Sequence, residues 1–250
     1  MTDILISERA GIRYLHFSSD WIQGAMRITR PWSLELEYTR EMMSCLLLRT
    51  DPMWPRNALL IGLGSGSLTK FLRRHRPAAR LTVAEIEPKV VAAAQQYFHL
   101  PEEDAHLQIV IADGADFLAG SDKQFDLIMV DGYDAEARTG RLDSLACYLN
   151  CRSRLSEEGL LVVNLLSRRK GSAASIERLQ EAFGSRALAF PSCASGNVIA
   201  FAAAGTAIGL GLGDMRQTAR ALKSSTGLNL LPTLARLEGW HHCPGGQVRL

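Results

Sequence analysis

Short apolar runs alternate with longer amphipathic segments through the middle of the chain. The runs have the near-continuous hydrophobic character of strands that are buried on both faces of a parallel sheet. We predict such strands at residues 58–61, 81–86, 108–112, 125–130 and 160–166. The intervening segments place apolar residues at helical spacing and predict helices at residues 67–75, 88–98, 115–118 and 143–155. This alternation predicts an α/β fold with a mostly parallel, Rossmann-like sheet of the methyltransferase type.

The pattern is different before residue 51. Residues 11–17 and 25–29 carry the alternation and aromatic content of strands, with a turn at 18–24, and residues 34–48 have helical periodicity. Two prolines between residues 51 and 56 mark a boundary. We therefore expect a small N-terminal β-ribbon and helix at residues 1–50, followed by the Rossmann-like domain at residues 51–250.

The C-terminal part continues the fold with shorter elements. We predict a helix at residues 176–183, a closing pair of strands at 186–190 and 198–203, and one reversed strand at the edge of the sheet. Residues 205–213 are rich in glycine and alanine and predict a loop. Two short helices are expected at residues 215–223 and 231–237.

Composition narrows the class of protein. A formal net charge of +2 gives no basis for nucleic-acid binding, and the longest basic run, residues 168–170, fits a solvated loop. No apolar run approaches the ~20 residues that cross a bilayer, and no secretory signal begins the chain. Five scattered cysteines indicate reduced thiols in a cytoplasmic protein. His241, His242 and Cys243 lack a second ligand pair, so no metal is expected.

Candidate chemistry begins directly after the first buried strand, in the turn G-L-G-S-G. Gly62, Gly64 and Gly66 recur at alternate positions, and a helix follows from Ser67. A strand, a glycine turn and a helix form the first unit of a nucleotide-binding α/β fold, in which a ligand must approach bare backbone.

Carboxylates follow the next strands at the same predicted edge of the sheet. Glu85 lies about 20 positions after the glycine turn, where an acidic residue can bind ribose hydroxyls. Glu87 fits a helix cap, because Pro88 follows it. Asp113 is placed to accept a hydrogen bond from an adenine amine, with Gly114 leaving room for the ring, and it also fits a helix cap.

The glycine turn alone does not select a cofactor. Nicotinamide-binding turns usually read G-x-G-x-x-G, whereas Ser67 stands at the last position here. A G-x-G-x-G turn with an acidic residue at the second strand is common where adenosine-containing sulfonium cofactors bind.

These segments resemble those of the spermidine synthases, the polyamine aminopropyltransferases, over roughly residues 11–203. The resemblance is carried by the following segments of this sequence: A-L-L-I-G-L-G-S-G-S, V-A-E-I-E-P-K-V-V, I-A-D-G-A-D-F-L, F-D-L-I-M-V-D-G-Y-D, C-R-S-R-L-S-E-E-G-L-L-V-V-N-L and the upstream E-Y-T-R-E-M-M. It implies an N-terminal β-ribbon domain, a Rossmann-like domain and a homodimer. It also implies aminopropyl transfer from decarboxylated S-adenosylmethionine to a diamine, without a metal.

The resemblance assigns roles at matching positions. Asp131 would be the catalytic carboxylate that helps to deprotonate the attacking amine, and Asp134 would be a second acid near the diamine. Glu85 would hold the ribose, with Ile86 beside it, and Asp113 with Gly114 would hold the adenine. Gln23 and Tyr38 would contact cofactor or substrate.

Two departures leave the acceptor open. The family usually carries Asp where this chain has Ser65, and that acid would pair with the free amine of the cofactor. It also continues from the second acid into Pro-x-Gly-Pro, whereas Asp134 is followed by A-E-A-R, which ends at Arg138. Because serine relaxes the discrimination against a carboxylate, a methyltransferase that uses ordinary S-adenosylmethionine is an alternative. A non-catalytic nucleoside-binding relative is another.

Overall fold

The computed structural model describes residues 4–17, 21–134, 136, 138–166, 171–238 and 243–250. Its strands are β1 Ile4–Arg9, β2 Ile12–Phe17, β3 Ile22–Arg27, β4 Asn57–Ile61, β5 Arg80–Glu85, β6 Leu107–Ile111, β7 Phe125–Val130, β8 Leu155–Leu166, β9 Ala187–Ala189, β10 Asn197–Ala203, β11 Gly209–Gly211 and β12 Gln247–Arg249. Its α-helices are α1 Glu37–Met42, α2 Cys45–Leu48, α3 Ser67–His75, α4 Pro88–Tyr97, α5 Gly114–Gly120, α6 Leu145–Arg154, α7 Gly171–Phe183, α8 Leu212–Thr226 and α9 Leu231–Glu238.

The central sheet has seven strands in the order β6-β5-β4-β7-β8-β10-β9. Strands β4 to β8 pair in parallel, and β10 runs antiparallel to both β8 and β9. The predicted mostly parallel α/β fold is therefore confirmed. The reversed strand is not at the edge as predicted, because β9 lies outside it. All seven residues of β10 are buried, which suits a strand with neighbours on both sides.

Apolar residues on the two faces of the central sheet pack into two separate hydrophobic clusters. In β4, Leu60 packs into one cluster, and Leu59 and Ile61 pack into the other. Both faces are thus covered, which explains the continuous apolar runs of the sequence. The first cluster takes residues from both sides of residue 50, including Leu47 of α2. The division into two domains at that position stays a prediction.

Several N-terminal and C-terminal elements differ from the prediction. The helix expected at residues 34–48 is interrupted after α1, where the backbone N–H groups of Met43 and Ser44 bond three residues back in a tightened turn. Strand β1 was not predicted and pairs antiparallel with β2. The loop expected at residues 205–213 contains β11, which pairs with β12 near the end of the chain.

Three sequence features fall partly or wholly outside the described residues. They are the first part of the turn predicted at residues 18–24, the basic run at residues 168–170, and His241 with His242. Within the described parts of the chain, no helix combines the length and apolar character needed to span a membrane.

Candidate active site

The carboxyl ends of β4, β5 and β7 open onto a cavity of about 640 Å³. The N-terminal sheet and α1 close it from the other side, through residues such as Gln23 and Tyr38. The predicted site residues that line the cavity are Gln23, Tyr38, Gly62, Gly64, Ser65, Glu85, Ile86, Asp113, Gly114, Asp131 and Asp134. Gly66 is not among the lining residues.

The glycine turn adopts a backbone that side chains disfavour. Gly62, Gly64 and Gly66 all have positive φ, at 93°, 52° and 67°. A Cβ on Gly62 would lie 2.3 Å from the carbonyl oxygen of Asp131, so the turn lies directly against the end of β7. Gly66 instead caps α3, and a Cβ there would meet Leu100. Its role is therefore to start the helix.

Ser65 lies at the contact between this turn and β3. A Cβ on Gly24 would lie 2.5 Å from the Ser65 Oγ, so two small residues let the strand and the turn approach closely. The Ser65 hydroxyl is 3.0 Å from that of Ser67, which donates to the carbonyl oxygen of Ala25 at 3.3 Å. Ser65 is thus buried between the glycine turn and β3, where its hydroxyl pairs with that of Ser67.

Glu85 ends β5 and binds the backbone on both sides. Its Oε2 accepts from the N–H of Leu63 at 2.8 Å, and its Oε1 accepts from the N–H of Glu87 at 2.9 Å. Burial raises the pKa of this carboxyl, and the backbone N–H groups partly offset the rise. The carboxylate also lines the cavity. Ile86, two-thirds exposed at 66%, lies beside it on the cavity rim.

Asp113 caps α5, as one of its two predicted roles requires. Its Oδ1 accepts from the N–H groups of Ala115 and Asp116, and its Oδ2 is 3.1 Å from Nη2 of Arg141. Burial raises the pKa of Asp113, but these partners outweigh burial and leave it below its usual range. A Cβ on Gly114 would lie 2.2 Å from Cγ2 of Ile61, so this glycine lets α5 pack on β4.

Asp131 follows β7 and has two neutral partners. Its Oδ2 accepts from the Tyr38 hydroxyl at 3.2 Å, and its Oδ1 accepts from Nδ2 of Asn164 at 2.8 Å. Burial raises the pKa of this carboxyl, and the two hydrogen bonds partly offset that rise. The arrangement gives a half-buried carboxylate that can take up a proton more readily than a solvated one.

Four residues behind Asp131 have no role predicted from the sequence, and hydrogen bonds join them. Asn164 in β8 accepts at Oδ1 from Nδ2 of Asn197 at 2.8 Å, and its carbonyl oxygen accepts from the Tyr133 hydroxyl at 2.7 Å. Asn197 at the start of β10 in turn accepts from the Ser195 hydroxyl at 2.7 Å. The one sequence signal was an asparagine inside the otherwise apolar run L-L-V-V-N-L-L.

Asp134 lies at the cavity but is engaged by its own loop. It accepts from the backbone N–H groups of Glu136 and Arg138, and its Oδ2 is 2.9 Å from Nε of Arg138. Burial raises the pKa of Asp134, but these partners hold it below its usual range. Arg138 also pairs with Glu136 at 2.8 Å. The neighbouring Ala135 and Ala137 lie outside the described residues.

Metal-ligating side chains do not cluster in this cavity or elsewhere among the residues that the structure describes. The charged groups that line the cavity are Glu37, Glu85, Asp113, Asp131, Asp134, Arg138 and Arg141. The described part of the site is thus built from carboxylates, arginines and neutral amides.

Comparison with known proteins decides the family. Residues 36–177 match the model of the spermine/spermidine synthase domain. A polyamine aminopropyltransferase from Neisseria meningitidis serogroup A is 35% identical over 236 residues, which cover 94% of this chain and 89% of that protein. The chain belongs to the spermine/spermidine synthase family. The resemblance inferred from the strand-end motifs is thereby confirmed.

Solved structures share the fold. A probable spermidine synthase from Corynebacterium glutamicum aligns with a TM-score of 0.71 at 15% identity, over 89% of this chain and 84% of that one. Human methyltransferase-like protein 13, in complex with SAH, aligns with a TM-score of 0.67 at 25% identity, over 82% of this chain and 96% of that one. The same architecture therefore occurs in proteins named for aminopropyl and for methyl transfer, and the site must be argued from its residues.

Proposed function

We propose that this protein transfers an aminopropyl group from decarboxylated S-adenosylmethionine to an amine of a polyamine acceptor. Membership of the spermine/spermidine synthase family supports this class of reaction. The observation that carries the proposal is the half-buried carboxylate of Asp131, held by Tyr38 and Asn164 at the junction of β4 and β7.

The co-substrate would lie across the carboxyl ends of the strands. Glu85 would accept hydrogen bonds from the ribose hydroxyls, because its carboxylate lines the cavity at the end of β5. Asp113 would accept from the adenine amine beside its bond to Arg141. Exposed Ile86 would cover one face of the ring, and Gly62 and Gly64 would leave space for the aminopropyl tail.

Asp131 would act as the base for the attacking amine. A polyamine nitrogen is protonated near pH 7 and must lose a proton before it attacks. The amine nitrogen then forms a bond to the methylene carbon beside the sulfonium, and the carbon–sulfur bond breaks. Its electron pair stays on sulfur, which leaves methylthioadenosine. Asp131 holds the proton that the ammonium lost before the attack, and the product nitrogen keeps its other two protons as a secondary ammonium. Burial favours this transfer because it raises the pKa of the accepting carboxyl.

Acceptor binding would use the part of the cavity beyond Asp131. Tyr38 and Asp134 line it, and Gln23 and Ser65 approach it from β3 and the glycine turn. Because Arg138 already pairs with Asp134, a second ammonium of the acceptor would share that carboxylate with the guanidinium. Exposed pairs of this kind are weak, about 0–1 kcal/mol, so such sharing has a small cost.

The proposal includes a cytoplasmic homodimer that binds no nucleic acid. Five free and buried cysteines support a reducing compartment. Leu5 and Ile22 expose apolar surface on the N-terminal sheet, and Ile28 does so directly after β3, which supports burial against a second copy. Light scattering coupled to size exclusion tests the dimer, and a mass of 27.4 kDa in solution would contradict it.

Substitution of Asp131 tests the reaction. We expect Asp131→Asn to lower kcat by about 10²–10⁴-fold, because it removes the base, while the Kd for the co-substrate changes by less than about threefold. Asp126→Asn is the matched control, since Asp126 lies in β7, the strand that Asp131 follows, and binds Arg56, Asn57 and Ser156 at the opposite end of that strand. It should leave kcat unchanged. Full turnover in Asp131→Asn would show that another group is the base.

Calorimetry distinguishes the co-substrates. Decarboxylated S-adenosylmethionine and methylthioadenosine are expected to bind, and amine-dependent release of methylthioadenosine is expected with the first. Binding of ordinary S-adenosylmethionine alone would contradict aminopropyl transfer and favour methyl transfer. Absence of binding by all three would favour a non-catalytic relative.

A further inference from the structure

A chain of hydrogen bonds runs from Asp131 into the reversed strand of the sheet. Asp131 accepts from Nδ2 of Asn164, Oδ1 of Asn164 accepts from Nδ2 of Asn197, and Oδ1 of Asn197 accepts from Ser195. Asn164 and Asn197 are only 3% and 7% exposed. The chain therefore joins the carboxylate to the first residue of β10 through buried amides.

The direction of this chain is fixed by chemistry. An ionised carboxylate only accepts hydrogen bonds, so Asn164 must turn its N–H group toward Asp131 and its oxygen away. That oxygen needs a donor, and Nδ2 of Asn197 supplies it at 2.8 Å. If Asn197 were turned over, two amide oxygens would face each other in a buried place. Since the two ends of an amide have nearly the same shape, packing alone does not select the orientation.

We propose that Asn197 is a positioning residue for Asp131, because it holds the Asn164 amide with its N–H group toward the carboxylate. The inference rests on the proposed role of Asp131 as the base. Asn197 itself bonds Asn164 and Ser195 and acts on Asp131 only through Asn164. Nothing in the family motifs of the sequence marks this position.

Loss of Asn197 releases the Asn164 amide. The amide oxygen of Asn164 can then turn toward Asp131 and accept a hydrogen bond from its protonated form, which favours that form over the charged one. The titratable groups that face Asp131 are the phenols of Tyr38 and Tyr133, whose pKa values are raised by burial. The other charged groups that line the cavity are Glu37, Glu85, Asp113, Asp134, Arg138 and Arg141, and the substitution leaves them in place.

Carboxyl-selective ¹³C NMR measures this effect without any substrate. The Asp131 signal is assigned by its loss in Asp131→Asn, and its titration midpoint is then followed in variants. We expect Asn197→Leu, which keeps the size of the side chain, to raise the midpoint by about 1–2 pH units, as loss of one hydrogen bond to a charged group predicts. The acid limb of the pH profile of kcat/KM should move up by the same amount.

A double-mutant cycle separates positioning from a purely structural role. Asn164→Leu should raise the midpoint at least as much, and Asn197→Leu should add nothing further in the Asn164→Leu background. An undiminished shift in that background would overturn the proposal, as would a loss of stability in Asn197→Leu with an unchanged midpoint.

Two further readouts keep the test decisive. If Asn197→Leu does not fold, Asn197→Asp keeps the side-chain shape. Its introduced carboxylate, once ionised, draws the Asn164 N–H group away from Asp131 and also adds a like charge, and both effects should raise the Asp131 midpoint. An unchanged midpoint there would contradict the proposal. If the unsubstituted protein shows no aminopropyl transfer, the proposed function fails, while the NMR titration still reports on the orientation of Asn164.

Discussion

Glu85 has a place in the fold as well as at the cavity. It joins the glycine turn after β4 to the start of α4, since its two oxygens accept from Leu63 and Glu87. Burial of the charged carboxyl is unfavourable by itself, and these N–H groups compensate it in part. The shape of the turn and the acceptors proposed for the ribose therefore depend on the same side chain.

Replacement of Glu85 should weaken co-substrate binding through both effects. Glu85→Gln places an amide NH₂ group against one of the two backbone N–H groups, so the turn loses an acceptor. We expect the Kd for decarboxylated S-adenosylmethionine to rise by at least about tenfold, on the scale of one hydrogen bond to a charged group. Calorimetry measures it. Glu87→Gln, which changes only the cap of α4, should leave the Kd nearly unchanged, and equal effects of the two would contradict this assignment.

At this scale, sequence patterns identified several residues that line the cavity, and missed others for a physical reason. Glycines and carboxylates at the strand ends were found because parallel strands bring their carboxyl ends to one edge. Asn164 and Asn197 were not found, since their contact depends on the antiparallel register of β8 with β10. Residues far apart in sequence, with no shared motif, become neighbours only once that register exists.

At the scale of elements, helix α1 depends on a partner from the end of the chain. With six residues it is too short to be stable alone, yet it carries the hydroxyl of Tyr38 to Asp131. Arg236 of α9 pairs with Glu37 and with Glu41, which is fully buried. The C-terminal helix thus fixes the element that presents Tyr38.

Removal of this pairing should affect both stability and turnover. Arg236→Met leaves the Glu41 carboxylate buried without its guanidinium, and we expect the free energy of unfolding to fall by about 3 kcal/mol. The folded variant should also lose turnover, because α1 no longer holds Tyr38 in place. Urea titration and steady-state kinetics measure the two effects.

Arg216→Met is the control for that variant. It removes an ion pair with Glu238, whose side chain is half exposed and lies in the same C-terminal region. The free energy of unfolding should therefore fall by less than about 1 kcal/mol. Equal losses in the two variants would argue that any change to these helices has the same effect. The pairing between α9 and α1 would then have no special part.

Prediction of the elements succeeded where local signals agreed with the fold. Helix α3 has the predicted limits, Ser67–His75, since the glycine turn begins it and Pro77 follows closely. The prediction of one helix at residues 34–48 was wrong. The break between α1 and α2 lies among apolar residues whose spacing is also that of a continuous helix. Strands β11 and β12 are each three residues long, and their pairing links distant parts of the chain. No local pattern specifies such a pair.

At the scale of the whole molecule, one buried cation weakens the fold at neutral pH. Lys70 of α3 is 1% exposed and donates to the carbonyl oxygen of Phe98 at 2.6 Å. Burial lowers its pKa from 10.5 to about 8. The folded protein therefore holds fewer protons at this side chain than the unfolded chain between about pH 8 and pH 10.5, and Lys70 contributes a stability that rises with pH across that window.

Lys70→Met should abolish this pH dependence. The free energy of unfolding of the unsubstituted protein, relative to that of the variant, should increase by up to about 3 kcal/mol between pH 7 and pH 10.5. Urea titrations at several pH values measure the difference. Lys223→Met, on the exposed side of α8, should show a constant difference over the same range. A constant difference for Lys70→Met would show that the buried amine keeps its ordinary pKa.

Because β10 runs opposite to the parallel strands, residues that precede it can change at the cavity without any change in the crossover helices. Parallel strands reach the cavity with their last residues, and a helix must follow each one to return the chain. Strand β10 reaches it with its first residue, Asn197, directly after the short segment 191–196. Insertions or substitutions in that segment would alter the wall beside Asp131 and leave every crossover helix unchanged. If the proposed sites are correct, this corner is where relatives of the chain can diverge in acceptor preference while they keep the proposed nucleoside site.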